Sequence, residues 1–125
     1  MIFEVTDLSY DISLVDPVTK ETLELDFTHH IRGGIYAAGG TKRAWLNITY
    51  NYGYIYYRVF GEEGIRTIYG MTGAESIPVI KAAMEKLSDD VDPDYWKDTE
   101  GNAKKALAGL LALAQLRPDG IWDGD

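Results

Sequence analysis

The chain contains no cysteine and only two histidines, His29 and His30. Disulfides, thiolate metal sites and cysteine nucleophiles are therefore excluded. Adjacent residues on a strand point to opposite faces of the sheet, so the two histidines are not expected to share a metal ion or to form a catalytic pair. We expect His29 to be a satisfied buried residue. We expect no tightly bound metal and no cofactor.

Long apolar runs and a secretion signal are also lacking. No stretch of about 18 apolar residues is present to form a transmembrane helix. The N-terminal residues Met1 to Val5 show no basic region followed by an apolar run, which a signal peptide requires. The sequence therefore predicts a cytoplasmic protein without membrane association.

Basic residues are few: 12 Lys and Arg stand against 20 Asp and Glu, which gives a net charge of −8. Proteins bind nucleic acids largely through cationic side chains that displace counterions from phosphates, so general nucleic-acid binding is not expected. An acidic chain suits solubility, a basic protein partner or imitation of nucleic acid.

The 125 residues, 46% of them apolar, are enough for one domain with its own core. Apolar and polar residues alternate in several runs between about residues 2 and 49, as is typical of half-buried strands. Asp16-Pro17 marks a turn between two of these runs. We therefore predict that Tyr10–Leu14 and Leu23–Phe27 pair as an antiparallel hairpin.

The segment Tyr50–Phe60 fits two structures. As a strand, it would place alternate tyrosines on one face as an aromatic ladder. As a helix, it would place Tyr52, Ile55 and the apolar residues that follow them on one stripe, with Tyr54 and Arg58 outside it. We favour the helix because it groups the most apolar residues.

Two later helices are predicted at about residues 73–87 and 100–116. Thr72 and Glu75 have the spacing of a capping box, and Thr99 is placed to cap the last helix. Trp122 is expected to fold back onto the body. Strands followed by helices predict an α+β domain, with an antiparallel sheet of about four N-terminal strands and two or three helices on one face.

Two loops partly match known ligand-binding patterns. The glycine-rich loop 33–40 lacks the Gly-Lys-Ser/Thr ending and the following helix of a phosphate-binding loop, so a flexible connector is the simpler interpretation. The aspartates between residues 90 and 98 begin like a calcium loop. That pattern fails at Tyr95, where glycine is required, and at Gly101, where a carboxylate is required.

Nine tyrosines and three tryptophans are many for this length, and tyrosine suits binding surfaces. The sequence contains no specific catalytic constellation, so a binding role is favoured over enzymatic activity. The predicted ligand-binding residues are aromatic or basic: His30, Arg32, Lys42, Arg43, Tyr52, Tyr54, Tyr57, Arg58 and Arg66.

Several segments resemble small uncharacterised proteins encoded by tailed bacteriophages and prophages, over most of residues 44–125. These segments are Asn47–Tyr52, Gly64–Arg66, Met71–Pro78, Tyr95–Trp96 with Thr99–Ala103, and Arg117–Asp125. The resemblance implies a phage accessory protein acting in the host cytoplasm, and no catalytic residue is transferred by it. By analogy with other small acidic phage proteins, we expect an anti-defence inhibitor.

Two mechanisms stay open for such an inhibitor. The acidic surface could dock on a basic host defence protein, or an aromatic and basic pocket could sequester a nucleotide-like signal, with self-association of the chain left open. A hydrolase or transferase with an unrecognised site, and a phage structural or morphogenesis protein, are the alternative functions.

Overall fold

The structure is a computed structural model that describes residues 9–31, 33 and 39–125. Within those residues the predicted α+β class is confirmed, with strands in antiparallel sheets and three α-helices. The elements are β1 (Ser9–Val15), β2 (Glu24–His29), β3 (Thr41–Arg43), β4 (Trp45–Thr49), α1 (Gly53–Phe60), α2 (Gly73–Glu85), α3 (Glu100–Leu116) and β5 (Ile121–Gly124).

A three-stranded antiparallel sheet lies against the core, in the order β4-β1-β5. Along β1, the alternation of the sequence has the expected effect. Ile12 and Leu14 are fully buried, whereas Asp11 is exposed and Ser13 half-buried on the other face. The predicted strand near residues 3–5 lies outside the described residues.

The predicted pairing of Tyr10–Leu14 with Leu23–Phe27 is wrong. β2 pairs instead with β3 in a separate two-stranded sheet, and a single bridge between Val15 and Thr22 joins it to β1. Burial explains the choice, because four of the five residues of β4 are buried, whereas two of the six residues of β2 are. A single four-stranded N-terminal sheet is therefore also wrong, since the C-terminal strand β5 completes the sheet of β1.

The helical interpretation of the tyrosine-rich segment is confirmed. A short 3-10 turn over Tyr50–Tyr52 leads into α1, which buries Ile55, Tyr56 and Val59. The sequence of α1 leaves Tyr54 and Arg58 outside this stripe, and both are exposed.

Side-chain caps begin the two longer helices as predicted. The Thr72 hydroxyl accepts from the Glu75 amide at 3.0 Å, and the Glu75 carboxylate accepts from the Thr72 amide at 2.8 Å. The Thr99 hydroxyl accepts from the Asn102 amide at 3.1 Å. Both caps satisfy N–H groups that have no partner within the helix.

The C-terminal segment folds back onto the body, as expected for Trp122. Its indole is 1% exposed and packs into the core formed with α2 and α3. Main-chain bonds from Trp122 to Met71 and from Gly73 to Gly120 hold the outer edge of β5. None of the helices described is long and apolar enough to cross a bilayer.

Candidate functional site

The basic residues predicted around the glycine-rich loop lie on the small β2–β3 sheet. His30, Lys42 and Arg43 are exposed, and the Arg43 guanidinium lies 6.0 Å from the centre of the Trp45 ring. His29 is 7% exposed, with its Nε2 2.7 Å from the Arg43 main-chain oxygen. His29 is therefore a satisfied structural residue, as predicted. Arg32 and most of the loop lie outside the described residues.

The outward face of α1 is bound to the connector between α2 and α3, residues 88–98, which we call the acidic connector. The Tyr54 hydroxyl donates to the Asp98 carboxylate at 2.9 Å, and this bond raises the pKa of Tyr54. Arg58 pairs at 2.7 Å with Glu100, which lies directly beyond the connector at the start of α3. Tyr54 and Arg58 therefore have partners within the chain and help to position the connector.

Arg66 and Tyr57 lie at a different place on the molecule. The Arg66 guanidinium carbon is 4.9 Å from the centre of the Tyr10 ring and 5.9 Å from that of Tyr50. Arg66 Nε also donates to the Asp125 main-chain oxygen at 2.7 Å. Tyr57 is half-exposed. The predicted binding residues are thus distributed over several regions, and this enclosed arginine has a packing role.

A cavity of about 450 Å³ lies between the acidic connector, α3 and Ile31, the residue between His30 and Arg32. We call it the connector pocket. Its apolar lining consists of Ile31, Val91, Pro93 and Ala106. Of the predicted binding residues that the structure describes, Tyr52 is the one that lines it.

Small residues on α3 bring the end of β2 and the helix together at this pocket. A side chain at Gly109 would come within 2.9 Å of Ile31, so only glycine permits the observed approach. One turn earlier, Ala106 lines the pocket. A larger residue there would project toward the lining and reduce the cavity.

The connector wall of the pocket is held by the Asn102 side chain. Its Oδ1 accepts from the Asp92 amide at 3.0 Å, and its Nδ2 donates to the main-chain oxygens of Asp94 and Lys97, each at 3.0 Å. Both donors and an acceptor of this amide are therefore used within the chain. Asn102 fixes the wall rather than leaving its amide free for a ligand.

Two tyrosines form the aromatic part of the lining. The rings of Tyr52 and Tyr95 meet edge to face, with their centres 5.6 Å apart. The Tyr52 hydroxyl donates to the Tyr95 main-chain oxygen, and the Tyr95 hydroxyl accepts from the Thr49 amide at 2.9 Å. Burial raises the pKa of Tyr52, so its phenol stays neutral and keeps this bond through the physiological range.

Lys105 and Asp92 supply the charges of the pocket. Lys105 is exposed and has no ion pair or hydrogen bond with any residue that the structure describes, whereas its neighbour Lys104 pairs with Asp89 at 2.8 Å. One Asp92 carboxylate oxygen accepts from the Asp94 amide at 2.8 Å. The pocket can therefore hold an apolar or planar group together with an anion on Lys105.

The sequence indicated only part of this site. Tyr52 was predicted, whereas Ile31, Tyr95, Asn102 and Lys105 were not. Their signal was weak because an asparagine and a lysine near a helix start are common on solvated helices. Across the described ranges, no three His, Asp or Glu residues are grouped so that they could hold a metal ion.

Comparison of the chain with known protein families, curated proteins and solved structures finds no match.

Proposed function

We propose that this chain is a phage accessory protein that sequesters a nucleotide-like ligand in the connector pocket and so counters a host defence signal in the host cytoplasm. The observation that carries the proposal is the pocket itself, about 450 Å³ with apolar, aromatic and charged lining. Small-molecule sites typically have volumes of about 300–1,000 Å³, mostly apolar walls and a few polar groups. The phage origin rests on the sequence resemblance described above.

The anchoring of the wall supports a binding role. Asn102 and Tyr52 hold the acidic connector through its main chain, and Tyr54 holds it through Asp98. A wall that is already fixed loses little conformational freedom when a ligand arrives, which favours affinity. The side chains of Asn102 and Tyr52 are engaged within the chain, which suits retention of a ligand better than its turnover.

A second candidate function is docking of the acidic connector on a basic face of a host defence protein. Two large apolar side chains of the connector, Val91 and Trp96, are each 45% exposed. They lie among exposed aspartates that include Asp90 and Asp94. An exposed aromatic side chain in a charged surround has the composition of a protein-binding hot spot.

The first experiment is native mass spectrometry of the protein purified from infected host cells, which would report a retained ligand and the oligomeric state. Thermal unfolding with added nucleotides would follow. A ligand present at 100 times its Kd stabilises the folded state by about 2.7 kcal/mol, which is readily measured as a shift in Tm.

A pocket-filling variant tests where the ligand binds. Ala106→Phe should abolish the ligand-induced shift, while Ala82→Phe, at an exposed position on α2, should keep it. Far-UV circular dichroism and the Tm without ligand show whether each variant is folded. An unchanged shift in Ala106→Phe would place the ligand elsewhere.

The two candidate functions predict different variants to be inactive. If the protein from infected cells retains no ligand and no nucleotide shifts its Tm, sequestration is contradicted. The docking candidate then predicts that Asp90→Lys combined with Trp96→Ser loses anti-defence activity in infected cells while Ala106→Phe keeps it.

A further inference from the structure

We infer that the connector pocket selects a nucleotide with a single negative charge, such as a cyclic mononucleotide, and that Lys105 contacts its phosphate. This inference rests on the proposed function and adds the charge of the ligand and the residue that recognises it. It follows from the charges of the pocket and from the internal hydrogen bonds of its polar side chains.

Lys105 is the cation that the pocket offers to an anionic group. Its ammonium has no partner among the described residues, while Lys104, next to it on α3, is neutralised by Asp89. A single ammonium matches one charged phosphate oxygen and can form a charge-assisted hydrogen bond with it. A phosphodiester carries one negative charge, so Lys105 balances it completely.

The surroundings of Lys105 disfavour further negative charge on the ligand. Asp92 also lines the pocket, Asp90 and Asp94 lie two residues to either side of it in the sequence, and the chain as a whole carries −8. Each additional phosphate charge would meet these carboxylates without a second cation among the described residues that line the pocket. A nucleoside triphosphate is therefore expected to bind more weakly than a cyclic monophosphate of the same base.

The rest of the lining offers contact area but few groups that could distinguish one base from another. Val91, Pro93 and the Tyr95 ring present surfaces on which any base can pack. The hydrogen-bonding groups of Tyr52 and Asn102 are occupied by the chain itself. Cyclic mononucleotides of adenine and guanine should therefore bind with affinities within a few-fold of each other.

Isothermal titration calorimetry with four ligands that share one base tests which ligand charge the pocket selects. The ligands are adenosine, cyclic adenosine monophosphate, adenosine monophosphate and adenosine triphosphate. We expect the cyclic monophosphate to bind about tenfold or more tightly than adenosine, a difference that corresponds to one charge-assisted hydrogen bond. It should also bind more tightly than the triphosphate, because the additional charges of the triphosphate would be repelled by the carboxylates near the pocket.

Two substitutions test which residues determine the selectivity for ligand charge. Lys105→Gln should weaken the cyclic monophosphate about tenfold and leave adenosine unchanged, and Lys81→Gln, the same change at an exposed position on α2, should alter neither. Asp92→Asn keeps a side-chain oxygen for the Asp94 amide and removes the charge. This substitution should reduce the difference in affinity between the triphosphate and the cyclic monophosphate.

The outcomes separate this inference from the proposed function. Equal binding of adenosine and the cyclic monophosphate, or tightest binding of the triphosphate, would overturn the inference. A retained ligand that is uncharged or carries several charges would also overturn the inference. If native mass spectrometry shows that Ala106→Phe loses this ligand, the result would still support sequestration. If no added ligand binds and the protein from infected cells retains none, both the inference and sequestration are contradicted.

Discussion

Trp122 donates its indole N–H to the hydroxyl of Ser76 across 2.7 Å, and both residues are almost fully buried. The same hydroxyl donates to the main-chain oxygen of Gly73 at 2.8 Å. Ser76 thus joins the C-terminal strand β5 to the first turns of α2. β5 in turn completes the sheet of β1, so Ser76 anchors α2 to that sheet.

Ser76→Ala should lower the free energy of unfolding by about 1–3 kcal/mol, because the buried indole N–H of Trp122 would be left without an acceptor. Urea unfolding measures the change. Ser13→Ala is the matched control, since Ser13 lies half-exposed on the outer face of β1 and should change stability by about 0.5 kcal/mol or less. Equal effects of the two variants would contradict a special role for Ser76.

Thr99→Ala should destabilise the protein by about 1 kcal/mol, the usual effect of removing an N-cap hydroxyl. Thr99 caps α3 at the Asn102 amide, beside the connector pocket. Thr99→Ser retains the hydroxyl and should stay close to the parent protein. Guanidinium midpoints for the three proteins give the comparison, and a midpoint of Thr99→Ala equal to the other two would show that the cap contributes nothing.

The ion pair between Arg58 and Glu100 should be weak, and substitutions of its two residues should lower stability by different amounts. The side chains are 54% and 36% exposed, so solvent screens the ion pair and it contributes little to stability. Glu100 also accepts from the Ser88 amide at 2.9 Å. We therefore expect Glu100→Ala, which removes both contacts, to lower stability more than Arg58→Ala, which removes one, as measured by denaturant unfolding at neutral pH.

The same pair predicts a dependence on acid. The Ser88 amide, followed by Arg58, lowers the pKa of the Glu100 carboxyl below its ordinary 4.5. Its contribution to stability is therefore present above that value and is lost as the pH falls through the lowered pKa. Glu100→Gln should flatten this part of the stability profile.

High pH should unfold the protein through its tyrosines. Burial raises the pKa of Tyr10, Tyr52, Tyr56 and Tyr69 above the ordinary 10.0. A raised pKa in the folded state gives stability that is complete below pH 10 and lost as the pH rises above it. Phenolate absorbance and circular dichroism should therefore show these tyrosines ionising together with unfolding. Ionisation of all tyrosines near pH 10 in a folded protein would contradict this.

Local signals in the sequence were sufficient for the helices. The apolar spacing of Tyr52, Ile55 and Val59 favoured a helix over a strand for α1, and the hydroxyl residues Thr72 and Thr99 marked the starts of α2 and α3. These signals depend on contacts between residues a few positions apart. They are therefore visible in the sequence without knowledge of the tertiary structure.

The partners of the strands could not be obtained in this way. Alternation shows which residues of β1 face the core but not which strand lies beside it, and β5 comes from the opposite end of the described chain. The connector pocket has the same origin. Ile31, Tyr52, Tyr95 and Lys105 are distant in sequence and become neighbours only when α3 packs near the end of β2.

The connector wall is held largely by its main-chain oxygens. Those of Asp94, Tyr95, Trp96 and Lys97 accept bonds from Asn102, Tyr52 and Asn51. Every amino acid supplies the same carbonyl group, so these bonds do not depend on which side chains the connector carries. Mutation can therefore alter the residues that face the pocket while its frame persists. Single substitutions, whether in evolution or by design, can therefore change the shape and charge of the pocket.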